Sequence, residues 1–167
     1  MSFTIKDLEN LTGIKAHTLR IWEQRYNFLT PSRSTTNIRS YSNEELKVLL
    51  NISLLNKYGF KISRIDQMSE DQIKQNILSF ENTAAETEAL SIELIKSMIE
   101  VDTQRFEHLL QKYISKNGIK DCIIKIIYPF LVRIGILWQT ENINPAQEHL
   151  VSNLIRQKII SGIDQLS

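Results

Sequence analysis

Apolar side chains recur at helical spacing near the start of the chain and predict two short helices there. Thr4 is a suitable N-cap with Asp7 as its capping-box partner, and Gly13 should end the first helix. A second helix is expected over residues 16–26, and its core face should carry Leu19, Trp22 and Tyr26. Two short helices joined through a glycine-containing turn predict a helix-turn-helix.

The helical pattern stops between residues 29 and 41, where Pro31 precedes a stretch rich in Ser, Thr and Asn. This segment predicts a short β-hairpin with its turn near Thr35–Asn37. The segment contains Arg33 and Arg39 but no acidic residue. A basic hairpin after a helix-turn-helix is a winged-helix arrangement, in which the second helix enters the major groove of DNA and the hairpin contacts the flanking backbone.

Helical spacing returns after the hairpin and continues to the end of the chain. Ser42 and Glu45 form a capping-box pattern that begins a helix running to about residue 58, and two shorter helices should follow over 62–68 and 69–80. Residues 82–85 have the composition of a linker. The four remaining helices are predicted over 85–100, 102–116, 119–138 and 145–165. Four helices with short connections favour an up-down bundle.

The predicted fold is therefore mainly α, with a winged helix-turn-helix domain over residues 1–70, a helix and linker over 71–84 and a four-helix bundle over 85–167. Only 5 Gly and 3 Pro among 167 residues disfavour loop-rich β architectures. The lone Cys122 excludes a disulfide framework and suits a reducing cytoplasm. No apolar run reaches the length of a membrane span, and the first residues carry no export leader. We therefore expect a cytoplasmic protein.

Charge is distributed unevenly along the chain. Residues 1–65 contain ten Lys or Arg against five Asp or Glu, which gives +5, and the remainder contains ten against fourteen, which gives −4. A basic segment beside an acidic one indicates two parts with different partners, and the basic part is the candidate for double-stranded DNA.

The predicted winged helix assigns DNA-contacting roles to particular residue types. Side chains on the exposed face of the second helix would meet base edges, whereas Arg, Lys and Tyr elsewhere would contact phosphates. The predicted DNA-binding residues are Lys15, His17, Thr18, Arg20, Arg25, Arg33, Arg39 and Tyr41. Trp22, Leu19 and Leu46 are assigned to the core instead.

The order of motifs in residues 3–68 resembles the DNA-binding domain of the MerR family of bacterial transcription regulators. The resemblance is carried by four segments in sequence order: Ile5–Leu8, Thr12–Ile14, His17–Glu23 and Arg39–Leu46. Within the family, Trp22–Tyr26 is similar to the light-responsive, cobalamin-dependent branch. The turn of the hairpin departs from the family, which places Gly where this chain has Thr36 and Asn37. Asn tolerates a left-handed backbone conformation, so a wing is still expected.

Three residues in the second half are candidates for a ligand site. Trp138 ends the third predicted bundle helix, and Glu148 and His149 lie in the first turns of the fourth. If these two helices are antiparallel neighbours, all three residues lie at one end of the bundle. An indole, a carboxylate and an imidazole there could cover a flat, partly apolar ligand. The alternative is a purely structural role, in which Trp138 anchors a helix end and Glu148 stabilises a helix N-terminus through the helix dipole.

The spacing of Trp138, Glu148 and His149 resembles the helical cap of cobalamin-binding modules, including that of the CarH/LitR-type light-responsive repressors. The resemblance implies that Trp138 shields the upper face of cobalamin and that Glu148 and His149 line its adenosyl site. In that family a further domain supplies the lower cobalt ligand from an Asp-x-His-x-x-Gly motif, which this sequence does not contain. We therefore expect a longer chain to bind adenosylcobalamin and to form a homo-oligomer with it, and residues 1–167 alone to bind it weakly or not at all.

The function expected from the sequence is a DNA-binding regulator, a repressor by resemblance, with a cobalamin or light sensor cap. The alternative is a regulator whose bundle only dimerises or binds a regulatory protein, without a cofactor. A subunit of a corrinoid methyltransferase is a further alternative, because such proteins share the helical cap. The basic residues of the first half disfavour it, since methyl transfer does not require them. No catalytic set, metal site or phosphate-binding glycine loop is recognisable, and His108 and Cys122 lack partners at ligand spacing. We therefore expect no enzymatic activity.

Overall fold

The computed structural model describes residues 2–80, 83–139 and 144–164, except for the side chains of 83, 136–139 and 164. The chain divides into two units, Met1–Ala89 and Leu90–Ser167, and the boundary falls within one helix. The first unit contains β1 (Ser2–Phe3), α1 (Ile5–Thr12), α2 (Ala16–Arg25), β2 (Ser32–Arg33), β3 (Arg39–Ser42), α3 (Asn43–Lys57), α4 (Ile62–Ile65), α5 (Glu70–Leu78) and the start of α6 (Thr83–Glu100). The predicted mainly helical fold is confirmed.

The first unit contains a small antiparallel sheet in the order β1-β3-β2. Ser32 pairs with Ser40 and Arg33 with Arg39, so the predicted hairpin forms. Asn37 adopts a left-handed conformation with φ 62° in its turn, which is the role expected of Asn where the family has Gly. Strand β1 was not predicted, because two residues carry no periodicity.

Local side-chain caps begin α1 and α3 where the sequence indicates. Thr4 and Asp7 form a reciprocal capping box at α1, and Ser42 and Glu45 form one at α3. Glu45 also accepts a hydrogen bond from the backbone N–H of Thr30 (2.8 Å), which ties the chain after α2 to the start of α3. The core assignments of Trp22, Leu19 and Leu46 are confirmed, since all three are buried.

The second unit is entirely helical in its described part. It contains the rest of α6, α7 (Thr103–Asn117), α8 (Ile119–Cys122), a π-helical turn (Ile123–Ile127), α9 (Tyr128–Gln139) and α10 (Pro145–Asp164). Asn144 caps α10 by accepting from the N–H of Ala146 (2.9 Å), as its sequence pattern predicts. The predicted linker over 82–85 is wrong from Thr83 onward, because α6 begins there and its alanines favour helix. Residue 82, the connection over 141–143 and residue 165 lie outside the described residues.

The predicted helix over 119–138 contains a π-helical turn that the sequence analysis did not anticipate. The backbone N–H of Tyr128 donates to the carbonyl of Ile123, five residues back. Pro129 follows immediately, and a proline ring inside a regular α-helix clashes with the carbonyl four residues before it. The wider turn relieves that clash, so Pro129 is the sequence signal that could have revealed it.

Val101 ends α6 in a conformation that a β-branched residue seldom adopts. Its φ is 58°, while the N–H of Asp102 donates to the carbonyl of Ser97 (2.9 Å), as in a glycine-type helix terminus. Val101→Gly should therefore raise the free energy of unfolding by about 1 kcal/mol, because the left-handed strain disappears. Urea denaturation measures the change. Val132→Gly, at a similarly exposed helical position, should lower the free energy of unfolding by about 1 kcal/mol. Equal effects of the two substitutions would contradict the strain argument.

Candidate functional site

The exposed face of α2 presents several of the predicted base-contacting residues. His17 and Arg20 are exposed near the start of the helix, and Thr18 is half-buried between them. Lys15 is the exposed N-cap, and its Nζ donates to Glu9 Oε1 (3.3 Å), which lowers the pKa of Glu9. Arg25 is exposed at the other end of the helix. The structure therefore leaves this row of side chains accessible to a partner.

The two arginines of the wing are joined to α2 by one carboxylate. Arg33 Nη2 donates to Glu23 Oε1 (2.9 Å), and Arg39 Nε donates to Glu23 Oε2 (2.7 Å). The Glu23 hydrogen bond raises the pKa of the Arg39 guanidinium. Glu23 ends the motif His17–Glu23, but its connection to the wing was not predicted from the sequence. A lone acidic residue in a basic helix, ten residues before a basic hairpin, was the available signal.

Tyr41 does not lie where its predicted role requires. Its side chain is 0% exposed, and burial raises its pKa to about 12, with Glu23 adding to the effect. The ring belongs to the core on strand β3, beside Phe3 of the unpredicted strand β1. The prediction of Tyr41 as a phosphate contact is therefore corrected. Arg39 and Tyr41 share one face of β3, but Tyr41 lies where β1 pairs with β3 and is buried, whereas Arg39 lies beyond that pairing and stays partly exposed.

The candidate ligand residues of the helical unit lie at the end of α9 and the start of α10, which follow one another in the chain. Trp138 lies in the last turn of α9, and its side chain is outside the described part. Glu148 is half-buried and His149 exposed in the first turns of α10. The cofactor-binding role of these three residues stays a prediction.

Gln147 fixes the start of α10. Its side chain is 6% exposed, and its Nε2 donates to the carbonyls of Met98 (3.2 Å) and Ile99 (3.1 Å) at the end of α6. Its Oε1 accepts from the backbone N–H of Asn144 (3.2 Å). The Gln147 amide therefore satisfies two carbonyls in the last turn of α6 and holds the first turn of α10 in place. Glu148 and His149 follow it directly in that helix.

Gln147→Leu should lower the free energy of unfolding of the second unit by about 2 kcal/mol, because buried carbonyls of α6 lose a donor. Urea denaturation checks this change. Gln157→Leu removes an exposed amide from the same helix and should have little effect. Equal losses for the two variants would show that the Gln147 hydrogen bonds do not stabilise the unit.

The described residues hold no group of three or more His, Cys, Asp or Glu that could bind a metal ion. Burial raises the pKa of the Cys122 thiol to about 11, which disfavours the reactive thiolate. No helix in the described ranges has the length and apolar character needed to cross a membrane.

Two family models match the chain, one in each half. Residues 3–72 match the MerR HTH family regulatory proteins, and residues 92–160 match the B12 binding domain. The first match contains α1, α2 and the wing, and the second contains the described parts of α7 to α9 and most of α10.

The chain is also similar to two transcriptional repressors of Myxococcus xanthus. It is 23% identical to the HTH-type transcriptional repressor CarH over 167 residues, which cover 96% of this chain and 56% of that protein. It is 28% identical to the HTH-type transcriptional repressor CarA over 170 residues, which cover 100% of this chain and 54% of that protein. The chain thus spans about half the length of these curated relatives. Residues 3–72 therefore form a MerR-type helix-turn-helix region, and residues 92–160 form a helical region similar to the B12 binding domain.

Proposed function

We propose that this protein is a sequence-specific DNA-binding transcription regulator, a repressor like its two relatives, rather than an enzyme. The observation that carries the proposal is the exposed face of α2, with His17 and Arg20, standing beside a wing that presents Arg33 and Arg39. A recognition helix and a basic hairpin on one small scaffold supply base contacts and backbone contacts together. The partner is double-stranded DNA.

Arg20→Ala tests the base-reading half of this proposal. A duplex selected from a random library serves as the preferred site, and an unselected duplex serves as the reference. Discrimination between them should fall by about 1–3 kcal/mol if Arg20 reads a guanine edge. Arg25 is a predicted phosphate contact, so Arg25→Ala should instead weaken binding to both duplexes by similar factors. Equal affinity of the parent protein for the two duplexes would overturn sequence-specific binding.

The second half is proposed to be the helical cap of a cobalamin sensor. Adenosylcobalamin supplies a cobalt–carbon bond that light can break. In this chain Trp138 would cover the upper face of the corrin, while Glu148 and His149 would hydrogen-bond the adenosyl group. One helical cap contacts one face of the corrin, and association itself costs several kcal/mol in lost freedom. Residues 1–167 alone should therefore retain the cofactor weakly, and cofactor binding by a longer chain should drive homo-oligomer formation.

A second candidate function for the bundle has its own supporting observation. Ile124, Tyr128 and Val132 recur every fourth residue and are each more than half exposed. An exposed apolar row of this kind suits contact with a second copy or a regulatory protein, without any cofactor.

Size exclusion with absorbance at the corrin bands separates the two roles of the bundle. Samples of the chain, with and without adenosylcobalamin, are run in the dark and after illumination, together with His149→Ala. A cap predicts a weak corrin signal that His149→Ala removes. If oligomers form equally well without cofactor and even a longer chain gives no corrin signal, the bundle serves only to contact a second copy or a regulatory protein.

A further inference from the structure

Glu23 connects the recognition helix to the wing through two charge-assisted hydrogen bonds. Its side chain is only 10% exposed, and each carboxylate oxygen accepts from a different wing arginine, Arg33 at 2.9 Å and Arg39 at 2.7 Å. Hydrogen bonds between ionised partners are shorter and about twice as strong as neutral ones. We call Glu23, Arg33 and Arg39 the Glu23 clamp.

The two arginines of the clamp use different donors. Arg33 employs both terminal nitrogens, Nη2 to Glu23 and Nη1 to Asn37 Oδ1 (2.9 Å) in the left-handed turn of the wing. Arg39 employs Nε for Glu23, and within the described part of the chain its two terminal nitrogens donate no hydrogen bond. The planar guanidinium of Arg39 therefore keeps a complete terminal edge for another acceptor.

We propose that Glu23 is a positioning residue for DNA binding: it fixes the wing against α2 so that Arg39 presents its terminal nitrogens to a phosphate, while Arg33 braces the turn. Because Arg39 is 24% exposed, it is held at the edge of the core with one side open. Arg33, 44% exposed, is committed to intramolecular acceptors at both terminal nitrogens. This inference rests on the proposed DNA-binding function.

Charge alone predicts the opposite outcome, which makes the inference testable. Glu23 is a negative charge near a polyanion, so neutralising it without any change of geometry should strengthen DNA binding. If Glu23 instead positions Arg39, neutralising it should weaken binding, because the guanidinium loses its fixed orientation and the wing loses its attachment. The sign of the change therefore separates positioning from simple electrostatics.

The experiment compares Glu23→Gln with Glu44→Gln on duplex DNA by fluorescence anisotropy. Glu44 is a 78% exposed carboxylate on α3, so both variants lose one negative charge. Glu23→Gln should weaken binding about tenfold, whereas Glu44→Gln should leave it unchanged or slightly stronger. In an Arg39→Gln background, Glu23→Gln should change the affinity less than twofold, because the residue through which it acts is already gone.

Amide hydrogen exchange without DNA supplies a readout that does not depend on DNA binding. Glu23→Gln should speed exchange in the wing turn, residues 34–38, at least tenfold while leaving α3 protected. Binding by Glu23→Gln equal to or tighter than that of Glu44→Gln overturns the inference, as does unchanged exchange of the turn. If the parent protein itself fails to bind duplex DNA while the turn loosens as expected, the proposed function fails together with the phosphate role of Arg39. If Glu23→Gln does not fold, Glu23→Asp keeps the charge on a shorter side chain and is compared with Glu44→Asp. Weaker DNA binding by Glu23→Asp alone then supports positioning, and equal binding by the two variants overturns it.

Discussion

Raising the salt concentration from 50 to 200 mM should weaken binding to duplex DNA about 150-fold. Four exposed or partly exposed cations, Lys15, Arg25, Arg33 and Arg39, lie on α2 and the wing. Arg33 adds its positive charge near the phosphates, although its own hydrogen bonds go to Glu23 and Asn37. If about four phosphates are neutralised, the logarithm of affinity falls with the logarithm of salt with a slope of about −3.6. Anisotropy titrations at several salt concentrations measure the slope.

Arg39→Ala tests how much one phosphate contact contributes to the slope of affinity against salt. Removing one phosphate contact should reduce its magnitude by about one unit, so that the same rise in salt weakens binding only about 40-fold. Lys74→Ala removes an exposed cation from α5 and should leave the slope unchanged. An affinity of the parent protein that does not depend on salt would contradict a phosphate-contacting surface.

Phe130→Ala should lower the free energy of unfolding of the second unit by about 4 kcal/mol. Phe130 is 0% exposed, and its ring meets that of Phe106 edge to face with centroids 5.6 Å apart. The substitution removes a large buried surface and leaves a cavity, for which losses of about 3–5 kcal/mol are usual. Urea denaturation followed by circular dichroism reports the transition.

Val132→Ala is the control for this loss. Val132 lies two residues along the same helix but is 57% exposed, so its truncation should change the free energy of unfolding by less than about 0.5 kcal/mol. A loss below about 1 kcal/mol for Phe130→Ala would show that the core around Phe130 is loosely packed.

The helices and their beginnings could be predicted because their signals are local. Thr4 with Asp7 and Ser42 with Glu45 are side-chain caps within three residues of one another, so the sequence displays them directly. Strand β1 depends on pairing between Ser2 and Ser42 across the whole helix-turn-helix, and no local pattern reports such a contact. The extension of α6 into the predicted linker combines a local and a non-local cause, because its alanines favour helix and Ala85 is also buried in the core.

The candidate site was predictable in its residue types but not in its connections. Exposed positions on α2 follow from helical periodicity, and His17 and Arg20 lie on the expected face. The burial of Tyr41 depends on the strand that pairs beside it, and the role of Glu23 depends on two arginines ten and sixteen residues later. Contacts of this kind are set by the fold, so they appear only when the elements are placed in three dimensions.

The π-helical turn at Ile123–Ile127 affects how the length of this chain can change during evolution. Such a turn accommodates an extra residue while the helical faces on either side keep their directions. Deleting the exposed Ile124 together with Pro129→Ala would restore an ordinary α-helix and leave the later turns of α9 facing as before. The same deletion within the regular helix α7 would turn every later position by about 100°. Alignments of related chains should therefore tolerate a one-residue gap at the π-helical turn and reject one in α7.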